Sequence, residues 1–121
     1  MRGSLSPETK IDNALRELDC SGRPFVDIAR SSGVAVSHGT YSEVMNGKKD
    51  FPQETADKLL DILGQMLRLQ RAISDDVPID WSRTERVATA LALRRHQQAL
   101  LEDGDHSLDE FAEKATKSVV S

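Results

Sequence analysis

The chain has 121 residues, of which 38% are hydrophobic and 30% charged, and its formal charge is −4. That balance excludes a disordered polyampholyte and fits a globular fold. No apolar run approaches the roughly 18 residues needed to span a bilayer, so no membrane role is expected. Aromatic residues make up only 4%, which leaves the core to Leu, Ile, Val and Ala, as packed helices prefer. The acidity is not evenly spread. Residues 1–52 carry equal numbers of basic and acidic side chains, and the whole excess falls on residues 53–121. Local charge rather than the total decides whether a face can meet phosphate. A single cysteine, Cys20, rules out an internal disulfide framework. It points to a reducing, cytoplasmic setting. The polar stretch after Met1 has no apolar core and is not expected to act as a secretory signal.

Taken in chain order, Ser6-Pro7-Glu8 reads as a helix start, with serine as cap and proline in the first turn. Ile11, Ala14, Leu15 and Leu18 then recur at i, i+3, i+4 and i+7, a single apolar stripe closed by Gly22. Pro24-Phe25 opens a second helix that turns Phe25, Ile28 and Ala29 inward and ends at Gly33. A third, short helix is expected to begin after Ser37 and run to Met45, stopped by Asn46-Gly47. Phe51-Pro52 opens a long fourth helix with Ala56, Leu59, Leu60, Leu63, Met66 and Leu67 as its buried face. Residues 74–78 form the one clear linker. Ser82-Arg83-Thr84-Glu85 has capping-box spacing and introduces a fifth helix to about Leu101, with Trp81 placed to staple the linker onto it. Asp103-Gly104-Asp105 ends that helix, and a last short one follows Ser107. With no strand-like alternation anywhere, the fold class is all-α.

The segment from Phe25 to Pro52 carries the functional signal. Two short helices crossing steeply need a small residue at the crossing, a positive-φ residue at the turn and an apolar plug after it. Ala29, Gly33 and Val34 stand in that order. Ile28-Ala29, Gly33-Val34, Ser37 with Thr40, and the closing Asn46-Gly47-Lys48 resemble the Xre family of phage-repressor and Cro-like DNA-binding domains. The resemblance covers about residues 8–70. It implies a phage-repressor-like helix-turn-helix bundle in residues 1–73. Because the apolar stripes and end signals are complete before the linker, residues 8–70 are expected to fold alone. Residues 74–121 would then be a helical carboxy-terminal extension for dimerisation or partner binding. Two departures stand out. Val34-Ala35-Val36 lengthens the corner by two residues, and Glu43 occupies a place where the family often has a basic or small residue.

Carried over by position, the resemblance makes Ser37 the cap of the recognition helix. It puts His38, Gly39, Thr40 and Ser42 toward the major groove, and Asn46 with Lys48 on phosphates. Glu43 and Lys49 complete the candidate DNA-binding set. A carboxylate at 43 is repelled by phosphate, yet it can accept from a cytosine amino group. Tyr41, Val44 and Met45 have the spacing of the inward face. The implied partners are double-stranded DNA and a second copy of the chain. A protein partner on the carboxy-terminal helices is a further option, and no cofactor is implied. Val87, Ala88, Leu91 and Ala92 offer a stripe suited either to packing on the first domain or to a dimer interface. His96 and His106 lack neighbours at metal-ligand spacing, Cys20 reads as a buried small residue, and no catalytic arrangement is legible. The expected function is a phage or bacterial transcription regulator. The alternatives are an antitoxin, or a phage-encoded protein-binding inhibitor that keeps the fold without binding DNA.

Overall fold

Serine-capped, left-handed and glycine-terminated helix ends mark out six helices among the described residues. A computed structural model describes residues 6–73 and 77–120. The helices are α1 (Pro7–Leu18), α2 (Gly22–Ser31), α3 (His38–Met45), α4 (Gln53–Ile73), α5 (Thr84–Glu102) and α6 (Asp109–Ser118). No strand occurs among the described residues; an isolated antiparallel bridge joins Ile79 to Val120. The all-α expectation is met. Residues 74–76 of the expected linker lie outside the described residues.

In α1, the Ser6 hydroxyl accepts from the Thr9 amide, and Ile11, Leu15 and Leu18 are buried. The helix does not run to Gly22. Asp19 closes it in the left-handed region at φ 53°, with its N–H on the carbonyls of Leu15 and Arg16. Gly22 instead begins α2, where a Cβ would stand 2.7 Å from Cε2 of Tyr41. Its role is close approach between helices. Within α2, Phe25, Val26, Ile28 and Ala29 are all buried. The added Val26 reflects packing on two sides, since α2 meets both α3 and α5.

The corner after α2 follows the mechanical requirement. Gly33 takes φ +92°, and the Val34 amide reaches back to the Ala29 carbonyl at 3.0 Å. Val34 and Val36 are both buried, while Ala35 between them is exposed. Two plugs thus seat this corner. Ala29 is fully buried, so Ala29→Leu is expected to overpack the crossing at a cost of about 1–3 kcal/mol. A Cβ on Gly33 would meet nothing within 4 Å. Gly33→Val should therefore cost about 1–2 kcal/mol from its backbone conformation alone. Urea titrations followed by circular dichroism check both; parent-like midpoints would mean that neither residue is needed for the turn between α2 and α3.

The buried face of α4 is Ala56, Leu59, Ile62, Leu63, Met66 and Leu69. Leu60 and Leu67, expected inside, are only half-buried. Leu59, Ile62, Met66 and Leu69 follow a 3-4-3 spacing, the seam of a long helix packed along a neighbour. Here the chief neighbour is α1, with α5 and α6 on another side.

The capping box before α5 does not form. The Ser82 hydroxyl and amide both turn back to the Asp80 carboxylate, and Arg83 precedes the helix without a side-chain cap. Ser82 stands one residue before the cap position, and its hydroxyl instead donates to an ionised carboxylate in a charge-assisted bond. Hydrogen bonding to Ser82, with Arg83 nearby, holds the Asp80 carboxyl below its usual range. Trp81 does not staple the linker onto α5 alone. It is buried, and its indole N–H donates to the Leu18 carbonyl at the end of α1, at 3.0 Å.

Val87, Ala90 and Leu91 of α5 are buried, with Ala88 half-buried and Ala92 exposed. The stripe considered for dimerisation is thus largely used inside the chain, where α5 packs on α2 and α6. Gly104 ends α5 at φ +83° and leads to α6, whose Thr116 hydroxyl donates to the Ala112 carbonyl at 2.8 Å. One core cluster runs from Ile11 through the α2 and α4 residues to Ile79, Trp81, Leu91 and Val119.

Candidate nucleic-acid interface

Ser37 sits in extended backbone, and its hydroxyl oxygen accepts from the Thr40 amide at 3.1 Å. It also bonds to the Thr40 hydroxyl at 3.0 Å. This is the cap expected of the short helix α3, and it engages the Thr40 hydroxyl as an acceptor while leaving its O–H free to donate. On the inner side Val44 is buried, with Tyr41 and Met45 packed against the core. Tyr41 meets Phe25 edge-on at 6.0 Å between ring centres and lies 6.4 Å from Phe51. Burial, reinforced by Asp12 and Cys20, pushes the Tyr41 hydroxyl up to about 12. The inward trio expected from spacing is the one that anchors the helix.

The outer side holds Gly39, Ser42 and Asn46, all exposed. The Asn46 amide donates to the Ser42 hydroxyl at 3.4 Å, which links two of the candidate contacts one turn apart. His38 is not a free surface histidine. Its Nε2 lies 2.8 Å from Oδ1 of Asp27, so the first residue of α3 is tied to the middle of α2. Asp27 carries no periodic or motif signal in the sequence, and only the crossing of the two helices reveals it. The pair leaves Nδ1 as the ring atom of His38 not engaged by Asp27.

Asn46-Gly47-Lys48 has a backbone explanation. Gly47 takes φ +79°, its N–H reaches the Val44 carbonyl at 3.0 Å, and the Lys48 N–H reaches the Glu43 carbonyl at 2.8 Å. These two bonds are the Schellman pattern, which satisfies carbonyls left open at the end of a helix. The same turn sets Lys48 on the surface, where it forms no ion pair with any described residue. Lys49, by contrast, lies 3.6 Å from the Glu43 carboxylate. The acidic residue is therefore matched within the site, and one of the two adjacent lysines is occupied in matching it.

The nine candidates thus sort by what holds them. Ser37, Thr40 and His38 are engaged in building and fixing α3, Glu43 and Lys49 pair, and Gly39, Ser42, Asn46 and Lys48 form the accessible polar strip. Elsewhere, Cys20 is buried, and its thiol is pushed up to about 12, by burial first and by the Asp19 carboxylate second. His106 lies 3.0 Å from Asp109. Hydrogen bonds from Gln97 and His106 hold the Asp109 carboxyl below its usual range. No group of three metal-ligating side chains gathers among the described residues, and no helix there is long and apolar enough to cross a membrane. In comparisons with known proteins, the chain matches no family model, no curated protein and no solved structure.

Proposed function

We propose that this protein is a sequence-specific DNA-binding transcription regulator of phage or bacterial origin, acting in the cytoplasm by inserting α3 into the major groove. The observation that carries the reading is the two-sidedness of α3. Tyr41, Val44 and Met45 fix the helix from within, while Gly39, Ser42 and Asn46 stand exposed on its other side and Lys48 is exposed in the turn that follows. A short polar strip on a rigidly seated helix is what base-edge readout requires, with a lysine at its end for phosphate. The charge balance of residues 1–52 permits this, because the acidic excess belongs to the other half. Regulators of this kind act as two-fold pairs with recognition helices about 34 Å apart. Val87 and Leu91 already pack inside the chain, so the pairing surface is drawn from other positions.

A second reading is a protein-binding inhibitor that retains the helix-turn-helix without reading DNA. The observation in its favour is the Glu43–Lys49 pair, which leaves a near-neutral surface at the end of α3. Selection of bound duplexes from a random pool separates the two. A consensus should emerge, and Ser42→Ala should change the preferred base pair at one position by about 1–3 kcal/mol. The substitution removes only a hydroxyl from an exposed position, so the fold is expected to persist. Failure to enrich any sequence would favour the inhibitor.

A further inference from the structure

We propose that the cleft between α4 and α5 binds a small organic anion bearing a phosphate ester or paired carboxylates. The cleft measures about 340 Å³, within the size range of small-molecule sites. Three arginines line it, Arg68 from α4 and Arg94 and Arg95 from α5. They are not equivalent. Arg95 is neutralised by Asp61, whose Oδ2 accepts from its Nη2 at 3.1 Å and from Gln65 at 2.8 Å. Arg94 gives Nη1 to the uncharged Thr116 hydroxyl at 3.3 Å and has no carboxylate within ion-pair distance among the described residues. Arg68 forms no ion pair with any described residue.

Arg68 and Arg94, neither in an ion pair with any described residue, thus line one cleft from neighbouring helices, and against Asp61 and Glu102 the three arginines leave its lining net positive in the half of the chain that holds the whole acidic excess. A net positive cleft favours an anion, and the planar fork of arginine matches phosphate and carboxylate oxygens two at a time. Leu91, almost wholly buried, and Ala99 give the cleft an apolar wall for a short carbon body. Glu102 at its edge is suited to accept from a ligand hydroxyl and disfavours a larger polyanion. No residue of α3 lines the cleft, so this site stands or falls independently of the DNA reading.

The test is calorimetric titration of the full chain with glycerol phosphate and, separately, with succinate, at matched ionic strength. Saturable binding of at least one, with a Kd below about 1 mM, is expected. The anion that binds identifies the source of the charge. Arg68→Gln should weaken that binding about tenfold or more, since a charge-assisted hydrogen bond contributes that much. Arg94→Lys, which keeps the charge but not the fork, should weaken it by a smaller factor. Arg86→Gln, an exposed arginine of α5 outside the cleft, should leave it unchanged. The proposal is overturned if neither anion saturates, or if Arg68→Gln and Arg94→Lys both bind like the parent.

Discussion

Replacing Trp81 by alanine is expected to destabilise the protein by about 3–5 kcal/mol, the usual cost of emptying a large aromatic site. Trp81 is the single tryptophan of the chain and is only 4% exposed. It stands between the halves of the sequence, with its ring in the core and its N–H on the Leu18 carbonyl at 3.0 Å. The substitution therefore removes apolar volume and also leaves that carbonyl without its donor. Trp81→Phe separates the two effects. It keeps most of the apolar bulk, so its cost should be nearer the roughly 1–3 kcal/mol of an unpaired buried acceptor. Urea unfolding followed by circular dichroism measures both, because the variants lack the native fluorophore. An alanine variant with the parent's midpoint would mean that Trp81 does not join the halves.

Ending the chain at Ile73 is expected to abolish cooperative thermal unfolding. The cut removes Ile79, Trp81, Val87, Ala90, Leu91 and Val119 from the core cluster, and it strips α5 from the face of α2. Each large apolar side chain withdrawn from water contributes about 1.5–3 kcal/mol. Losing several at once matches or exceeds the roughly 5–15 kcal/mol by which a domain is stable. The shortened chain should retain some helix but melt gradually and expose apolar surface to a dye. A sharp transition close to the parent's would show instead that residues 8–70 fold alone, as their complete set of stripes and end signals suggests.

Local rules made much of this architecture legible before any coordinates. Ser6 and Ser37 cap their helices because short-range hydroxyl-to-amide geometry needs no distant partner. Gly33 and Gly47 take positive φ for equally local reasons. What escaped sequence reasoning depends on partners far along the chain. Val26, Ile62 and Leu69 are buried because helices close on two sides of α2 and α4, whereas a single periodic stripe describes one side only. Trp81 finds Leu18 sixty-three residues away. The capping box failed for a different reason: the helix begins at Thr84 with Arg83 before it, which leaves Ser82 outside the cap position with its hydroxyl donating to Asp80.

The candidate site divides along the same line. Its inward trio and its cap follow from spacing, and the exposed strip of Gly39, Ser42 and Asn46 lies on the side that the spacing leaves over. The electrostatic detail does not. His38 meets Asp27 across a helix crossing, and Glu43 meets Lys49 across a turn. Neither pair has a sequence signature, and both change what the residues are free to do. Lys48, which the turn leaves exposed and without an ion pair to any described residue, becomes the strongest phosphate candidate of the set.

That assignment is open to a direct measurement, the affinity for a selected duplex as a function of salt concentration. The logarithm of the binding constant should fall linearly with the logarithm of salt, as phosphate contacts release counterions. Lys48→Ala should lower the slope by about one unit and weaken binding to all sequences alike. Glu43→Gln removes the carboxylate that holds Lys49 at 3.6 Å, so it should tighten binding to every duplex. A loss confined to one sequence would instead assign Glu43 to a cytosine amino group. Absence of salt-sensitive binding to any duplex, by the parent and by Glu43→Gln with folding intact, would contradict the reading of α3 as a DNA-recognition helix.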